Sequence, residues 1–116
     1  SLGDAEITGK IGNAAQVLLI EAKGGADKVL KLGGDVIKSK GITIGAGTIE
    51  MNGAILQTIT TANGIGGDIT FTKADTGRLL FSGAGNHVVA VGHILTGGAN
   101  VRGTVVVAST TSVASV

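Results

Sequence analysis

The sequence predicts an all-β chain wound as a β-solenoid, a parallel β-helix of about three to four coils. Three observations lead there. A short phrase recurs: Leu2-Gly3-Asp4, Gly33-Gly34-Asp35, Gly66-Gly67-Asp68 and Gly97-Gly98-Ala99 open segments that look alike. Gly3, Gly34, Gly67 and Gly98 stand at nearly equal intervals. A fixed period of about 32 residues marks a chain that stacks one unit on the next. Turn-forming residues return about every ten residues, with short runs of strand formers between them. Finally, proline is absent (Pro 0), which suits central ladders because proline has no N–H to donate. Such a period leaves room for about three strands per coil.

The turn markers are Asn13, Gly24-Gly25, Gly33-Gly34-Asp35, Gly45-Ala46-Gly47, Asn52-Gly53, Asn63-Gly64, Gly66-Gly67-Asp68, Asp75-Thr76-Gly77, residues 83–86 and residues 97–100. Glycine and asparagine accept positive φ at low cost, so they mark corners. Along the chain, the first segment between markers is ambiguous. Residues 14–31 contain Ala-Ala-Gln-Val-Leu-Leu-Ile-Glu-Ala-Lys, which fits a helix of two or three turns capped by Gly24-Gly25. A strand is the preferred reading because its neighbours read as strands.

The later runs alternate. Ile49 and Met51 oppose Thr48, Glu50 and Asn52; Ile69 and Phe71 oppose Thr70 and Thr72; Leu79 and Phe81 oppose Leu80 and Ser82; Val105 and Val107 oppose Thr104 and Val106. Strands with one buried face give this pattern. Val17-Leu18-Leu19-Ile20 and Val88-Val89-Ala90-Val91 are apolar on both parities, so each has both faces covered or one face against a partner. The runner-up architecture is a compact β-sandwich or barrel of hairpins, which also has short strands and regular corners. In that case the recurring phrase is coincidence, and the shape in solution is expected to be a sphere instead of a rod.

Composition narrows the function classes. Apolar residues are 43%, too many for a disordered chain, while aromatics are 2%, too few for an ordinary globular core. The net charge of +1 argues against nucleic acid as a partner. Lys23, Lys28, Lys31, Lys38 and Lys40 cluster, but Glu21, Asp27 and Asp35 lie among them and no aromatic offers base stacking; a solvated face is expected. No cysteine is present for a disulfide framework. No apolar run approaches the ~20 residues of a bilayer span, so direct membrane insertion is not expected. Residues 1–116 read as a single β-repeat domain. The start at Ser1 and the Ser/Thr/Val tract at residues 109–116 are read as those of a fragment of a larger chain.

Several motifs suggest chemistry. Asp75-Thr76-Gly77 matches the aspartic-protease triplet, whose chemistry needs two aspartates sharing a proton across an interface. Lys73-Ala74 precede it where apolar strand is required, and the glycine-rich Gly64-Ile65-Gly66-Gly67 lies before the triplet instead of after it. Asp-Thr-Gly is also a good turn, and that is the preferred reading. Asn63-Gly64-Ile65-Gly66-Gly67-Asp68-Ile69-Thr70-Phe71 faintly resembles calcium-binding β-roll repeats, which however require strict tandem copies. Coils stacked at the phrase period would bring Asp4, Asp35 and Asp68 into a column, with corner aspartates accepting from backbone N–H groups preferred over an ion. His87 and His93 share a parity on an expected strand about 20 Å apart, too far for one metal, and are read as surface histidines. Gly-Ala-Gly at 45–47 and 83–85 lacks the lysine and Ser/Thr of a phosphate loop. The pairs Thr58/Thr60 and Thr70/Thr72 are read as solvent-face strand formers. Hence no catalytic residue, metal or cofactor is expected, and no single binding residue is assigned.

The runs Gly45-Ala46-Gly47-Thr48-Ile49-Glu50-Met51-Asn52-Gly53-Ala54-Ile55, residues 62–71 and Leu80-Phe81-Ser82-Gly83-Ala84-Gly85-Asn86 resemble the β-helical passenger region of bacterial autotransporters, in particular the large outer-membrane surface antigens of rickettsiae. The resemblance is one of texture and covers most of the chain, although the lysine-rich residues 14–40 depart from it. It implies a secreted, adhesive or coat-forming segment at the bacterial cell surface, associated with the outer membrane, meeting host-cell or surface proteins and not acting as an enzyme. Uncapped solenoid ends pair with other chains, so self-association is expected. The alternatives are a β-barrel binding module or structural subunit of an oligomer, and an enzyme. A polysaccharide-cleaving β-helix would need clustered carboxylates, arginines and aromatic platforms, and only Arg78 and Arg102 are present, with Trp 0 and Tyr 0.

Overall fold

The computed structural model describes residues 4–61, 68–91, 93–108 and 111–115. Among them the chain makes thirteen short strands: β1 (Ala5–Ile7), β2 (Ile20–Ala22), β3 (Val29–Leu32), β4 (Val36–Ser39), β5 (Ile42–Ile44), β6 (Thr48–Met51), β7 (Gln57–Thr61), β8 (Ile69–Phe71), β9 (Gly77–Phe81), β10 (His87–Ala90), β11 (Ile94–Thr96), β12 (Gly103–Val107) and β13 (Thr111–Ser115). They form three sheets. The first has the order β1-β3-β6-β9-β12, the second β13-β10-β7-β4 and the third β11-β8-β5-β2.

Every pairing between these strands is parallel. A parallel pair needs a long crossover between its strands. Here two intervening strands supply it: β4 and β5 lie in the second and third sheets before β6 returns to pair with β3. The chain is therefore all-β, with its strands from β2 onward dealt to the three sheets in rotation; between β1 and β2 only single bridges, from Ile11 and Val17, meet the second sheet. Residues 14–31 form no helix. Val17 makes a parallel bridge to Ser39, and β2 and the start of β3 complete the segment.

Alternation decides what faces inward. In the first sheet Ala5, Leu30, Ile49, Leu79 and Val105 lie in one row, and Ile7, Leu32, Met51, Phe81 and Val107 in another. The second sheet adds Ile37, Ile59 and Val89, joined by Ile11 through a bridge. The third adds Ile20, Ile42 and Ile69, and beside them Ala22, Ile44 and Phe71. The buried members of these rows make one aliphatic core with only two phenylalanines in it. Small and β-branched side chains suit it because each row repeats at the ~4.8 Å strand spacing.

The recurring phrase is not the circuit of the chain. Val29 pairs with Thr48 and Thr48 with Arg78, so the first of these circuits is much shorter than the second. Circuit length varies because corners vary. Residues 45–47 join β5 to β6, whereas residues 23–28 join β2 to β3 at the same side. Gly33-Gly34-Asp35 consequently turns from the first sheet to the second, and Gly97-Gly98 from the third to the first. The first sheet holds five strands, so among the described residues the chain returns to it four times.

The extents are 34 × 29 × 23 Å. Five strands at ~4.8 Å spacing rise only ~19 Å between first and last backbone. At this length, a rod and a sphere are not separated by shape.

Two buried polar side chains secure the corner between the first and second sheets. Gln57 Nε2 donates to the carbonyls of Leu32 (2.7 Å) and Gly34 (2.9 Å), and its Oε1 accepts from Gly53 N. His87, paired with Gln57 in the ladder, places Nε2 2.9 Å from the Met51 carbonyl and packs edge-on against Phe81. Each thus reaches the end of a first-sheet strand one level away, where a buried carbonyl would otherwise lack part of its hydrogen bonding.

Candidate functional site

The outward parity of each sheet differs in chemistry. On the first sheet Glu6, Lys31 and Glu50 form an alternating charged row, continued by Leu80 and Val106. Asn52 Nδ2 donates to Glu6, and the Ser82 hydroxyl donates to Glu50. On the third sheet the outward row is Glu21, Thr43, Thr70 and Leu95. The second sheet is nearly uncharged: Val36, Thr58 and Val88 form one row and Lys38, Thr60 and Ala90 the next. Beside it, the corner that leads into β7 exposes Ile55 (66%) and Leu56 (56%). A mostly uncharged sheet face with exposed apolar side chains beside it suits contact with another macromolecule better than it suits enclosure of a small substrate.

Most corner predictions hold where they can be followed. Asp75 sits in the turn between β8 and β9 with φ 59, a left-handed conformation that aspartate tolerates better than most residues. Its exposed carboxylate lies 3.6 Å from Arg102 Nε. Asp75-Thr76-Gly77 is thus a turn leading into the buried start of β9. The markers Asn63-Gly64 and Gly66-Gly67 lie outside the described residues.

Three expectations are corrected. Asp4, Asp35 and Asp68 do not form a column: Asp4 precedes β1, Asp35 turns from the first sheet to the second, and Asp68 immediately precedes β8 in the third. Unequal circuits place them on different corners. Each has its own partner, Asp4 accepting from Val29 N at 2.8 Å, Asp35 from Lys10 Nζ at 2.7 Å, and Asp68 meeting His93 at 3.2 Å. The Lys10 hydrogen bond holds the Asp35 carboxyl below its ordinary value. No group of three or more His, Cys, Asp or Glu able to hold a metal occurs among the described residues.

His87 is not a surface residue, being 0% exposed. It is the first residue of β10 and shares its inward parity with Val89. His93 lies beyond the end of that strand, before β11, and is exposed. The chain turns between them, so the extended-strand distance does not apply. The available signal was parity alone, since His87 shares that of Val89.

The five lysines also separate. Lys31 lies on the first sheet and Lys38 on the second; Lys40 follows β4, and Lys23 and Lys28 lie between β2 and β3. A cluster in sequence becomes a belt around the core, which concentrates no positive field. Thr58 and Thr60 face outward, but their ladder neighbours are Val36, Lys38, Val88 and Ala90. Thr70 pairs with Thr43, and Thr72 lies past the end of β8.

Comparison with protein-family models, with curated protein sequences and with solved structures finds no match. Among the described residues, no helix is long and apolar enough to cross a membrane.

Proposed function

We propose that the chain is a three-sided β-solenoid segment of a secreted bacterial surface protein of the autotransporter-passenger kind, with a structural and adhesive role. The observation that carries this reading is the rotation of consecutive strands through three all-parallel sheets, with aliphatic rows running across each. Such a chain is a scaffold that displays faces, and the second sheet with Ile55 and Leu56 beside it is the adhesive one. A sandwich or barrel of hairpins would be built on antiparallel pairs, and the ten ladders between named strands contain none. The partner is a protein on a host cell or neighbouring surface, and the segment is exported and held at the outer membrane by sequence outside it.

Two measurements test the two halves. Spin labels at Lys31→Cys and Val106→Cys stand three strand steps apart in one row, so a separation near ~14 Å between backbones is expected; a value far outside what label length allows sinks the solenoid. For adhesion, beads coated with the protein should hold to cultured host cells, and Ile55→Glu with Leu56→Glu should release most of them. Adhesion no better than that of albumin-coated beads removes the adhesive role and leaves the scaffold.

A further inference from the structure

Where the third sheet passes to the first, three successive corners differ in length. Residues 45–47 make the short middle corner, between residues 23–28 on one side and residues 72–76 on the other. The short corner is recessed, leaving an open notch of about 380 Å³, within the size range of small-molecule sites. Gly45 and Ala46 of the short corner line it, with Lys23 from the corner on one side, Lys73 from the corner on the other, and Thr43 and Thr72 beside them; the Thr72 hydroxyl donates to the Ile44 carbonyl at 3.4 Å.

The recess is fixed by glycine. A Cβ on Gly47 would lie 2.7 Å from the Lys28 carbonyl, and one on Gly77 would lie 2.7 Å from the Gly45 carbonyl. Backbone hydrogen bonds from Gly45 N to Ala22 O and from Thr72 N to Ile44 O, each 3.0 Å, tie the short corner to its neighbours on both sides. The notch is therefore a preformed feature of the ladder.

Its charge is specific. Glu21 lies 3.3 Å from Lys23 and neutralises it in part, whereas Lys73 makes no ion pair among the described residues. The two lysines stand in the corners that follow β2 and β8, strands two ladder steps apart, about 10 Å along the stack, within reach of one ligand between them. One net positive charge selects a monoanion and disfavours polyanions, which Glu21 repels. No arginine fork is present for bidentate phosphate recognition. The Thr72 hydroxyl, already donating to the Ile44 carbonyl, is left to accept, and with Thr43 it matches a ligand that carries hydroxyls, while Gly45 and Ala46 accept its C–H face.

We propose that this notch binds a hydroxylated monocarboxylate of monosaccharide size, that is, a sugar acid. The proposal rests on the corner geometry and does not depend on the adhesive reading. The test is titration of ¹⁵N-labelled protein at low, constant ionic strength with glucuronate, acetate, sulfate and glucose. Glucuronate should shift the amides of Gly45, Ala46 and Thr72 saturably and at lower concentration than the other three. Lys73→Gln should weaken it about tenfold, the scale of one charged hydrogen bond, and Lys38→Gln on the second sheet should leave it unchanged. The site is overturned if no saturable shift occurs, if acetate, sulfate or glucose acts as well as glucuronate, or if Lys73→Gln binds as tightly as the parent. Because Lys73 is exposed, its loss should leave the fold intact, which the unchanged remainder of the spectrum checks. Glucuronate binding by the Ile55→Glu, Leu56→Glu variant separates this site from the adhesive face; loss of binding there, with the fold intact, also overturns it.

Discussion

Leu79 and Val105 occupy one row of the first sheet, one strand apart, yet Leu79 is 0% exposed and Val105 is 44% exposed. The next row repeats the contrast: Leu32, Met51 and Phe81 are buried, while Ile7 at one end is 44% exposed and Val107 at the other 56%. Parity is the same in the middle and at the ends. What differs is whether another strand lies on both sides. Inward direction is thus a property of the strand, whereas burial is a property of its place in the stack.

The largest expected difference comes from truncation in the row itself. Leu79→Ala should cost about 3 kcal/mol, the usual range for a buried leucine, because neighbours on both sides hold the cavity open. Val105→Ala in the end strand should cost under about 1 kcal/mol, since its site already meets solvent. Urea unfolding measures both, and equal costs would break the distinction between middle and end.

Glycines give the same contrast in backbone form. A Cβ on Gly85 would stand 2.0 Å from the Ile55 carbonyl, whereas one on Gly9, beside the end strand β1, would have nothing within 4 Å. Gly85→Ala should therefore destabilise by about 2 kcal/mol as two stacked corners are forced apart. Gly9→Ala should stay within about 0.5 kcal/mol. A neutral Gly85→Ala would mean that these corners are not in contact.

The buried polar corner comes next. Gln57→Leu removes the donor shared by the Leu32 and Gly34 carbonyls and should cost about 1–2 kcal/mol. Leu32 O keeps a bond from Asn52 N at 3.1 Å, which limits the loss. Slower amide exchange at Gly53 in the variant would contradict the assigned acceptor role of Gln57.

The smallest effect belongs to the end-level pair Lys10–Asp35, whose side chains are 46% and 36% exposed and thus screened by solvent. Lys10 lowers the folded-state pKa of Asp35 below 3.8. A depressed carboxylate stabilises the fold above its unfolded-state pKa and loses that contribution as pH falls through the folded value. The parent should lead Asp35→Asn slightly in urea midpoint near neutral pH, with the gap closing as acid is added below pH 3.8. A gap that widens in acid would reverse the sign of the linkage.

Much of this was readable in the chain. Ile49/Met51, Ile69/Phe71 and Leu79/Phe81 announced their inward faces by alternation, and Gly45-Ala46-Gly47, Asn52-Gly53 and Asp75-Thr76-Gly77 announced corners. The circuit was not readable, because the visible phrase and the ladder have different periods. Gly34 and Gly98 turn at different corners, and the circuit from Val29 to Thr48 is far shorter than the one from Thr48 to Arg78. His87 was misplaced for the same reason, since whether a histidine and a carbonyl meet depends on which strand lies one level away. The notch was equally hidden, for Lys23 and Lys73 lie far apart in sequence and come to line one recess only through the stacking of β2, β5 and β8.

Local chemistry by itself determined that this protein is made of short β-strands with one aliphatic face, bent at glycine and asparagine. Those outcomes depend on side-chain period and backbone freedom, which act over a few neighbouring positions. Only the tertiary structure decided which strands pair, how long each circuit is, which inward residues are covered and which corners stand proud. Those outcomes depend on contacts between residues a full circuit apart, and corner length, free to vary at little cost, sets them.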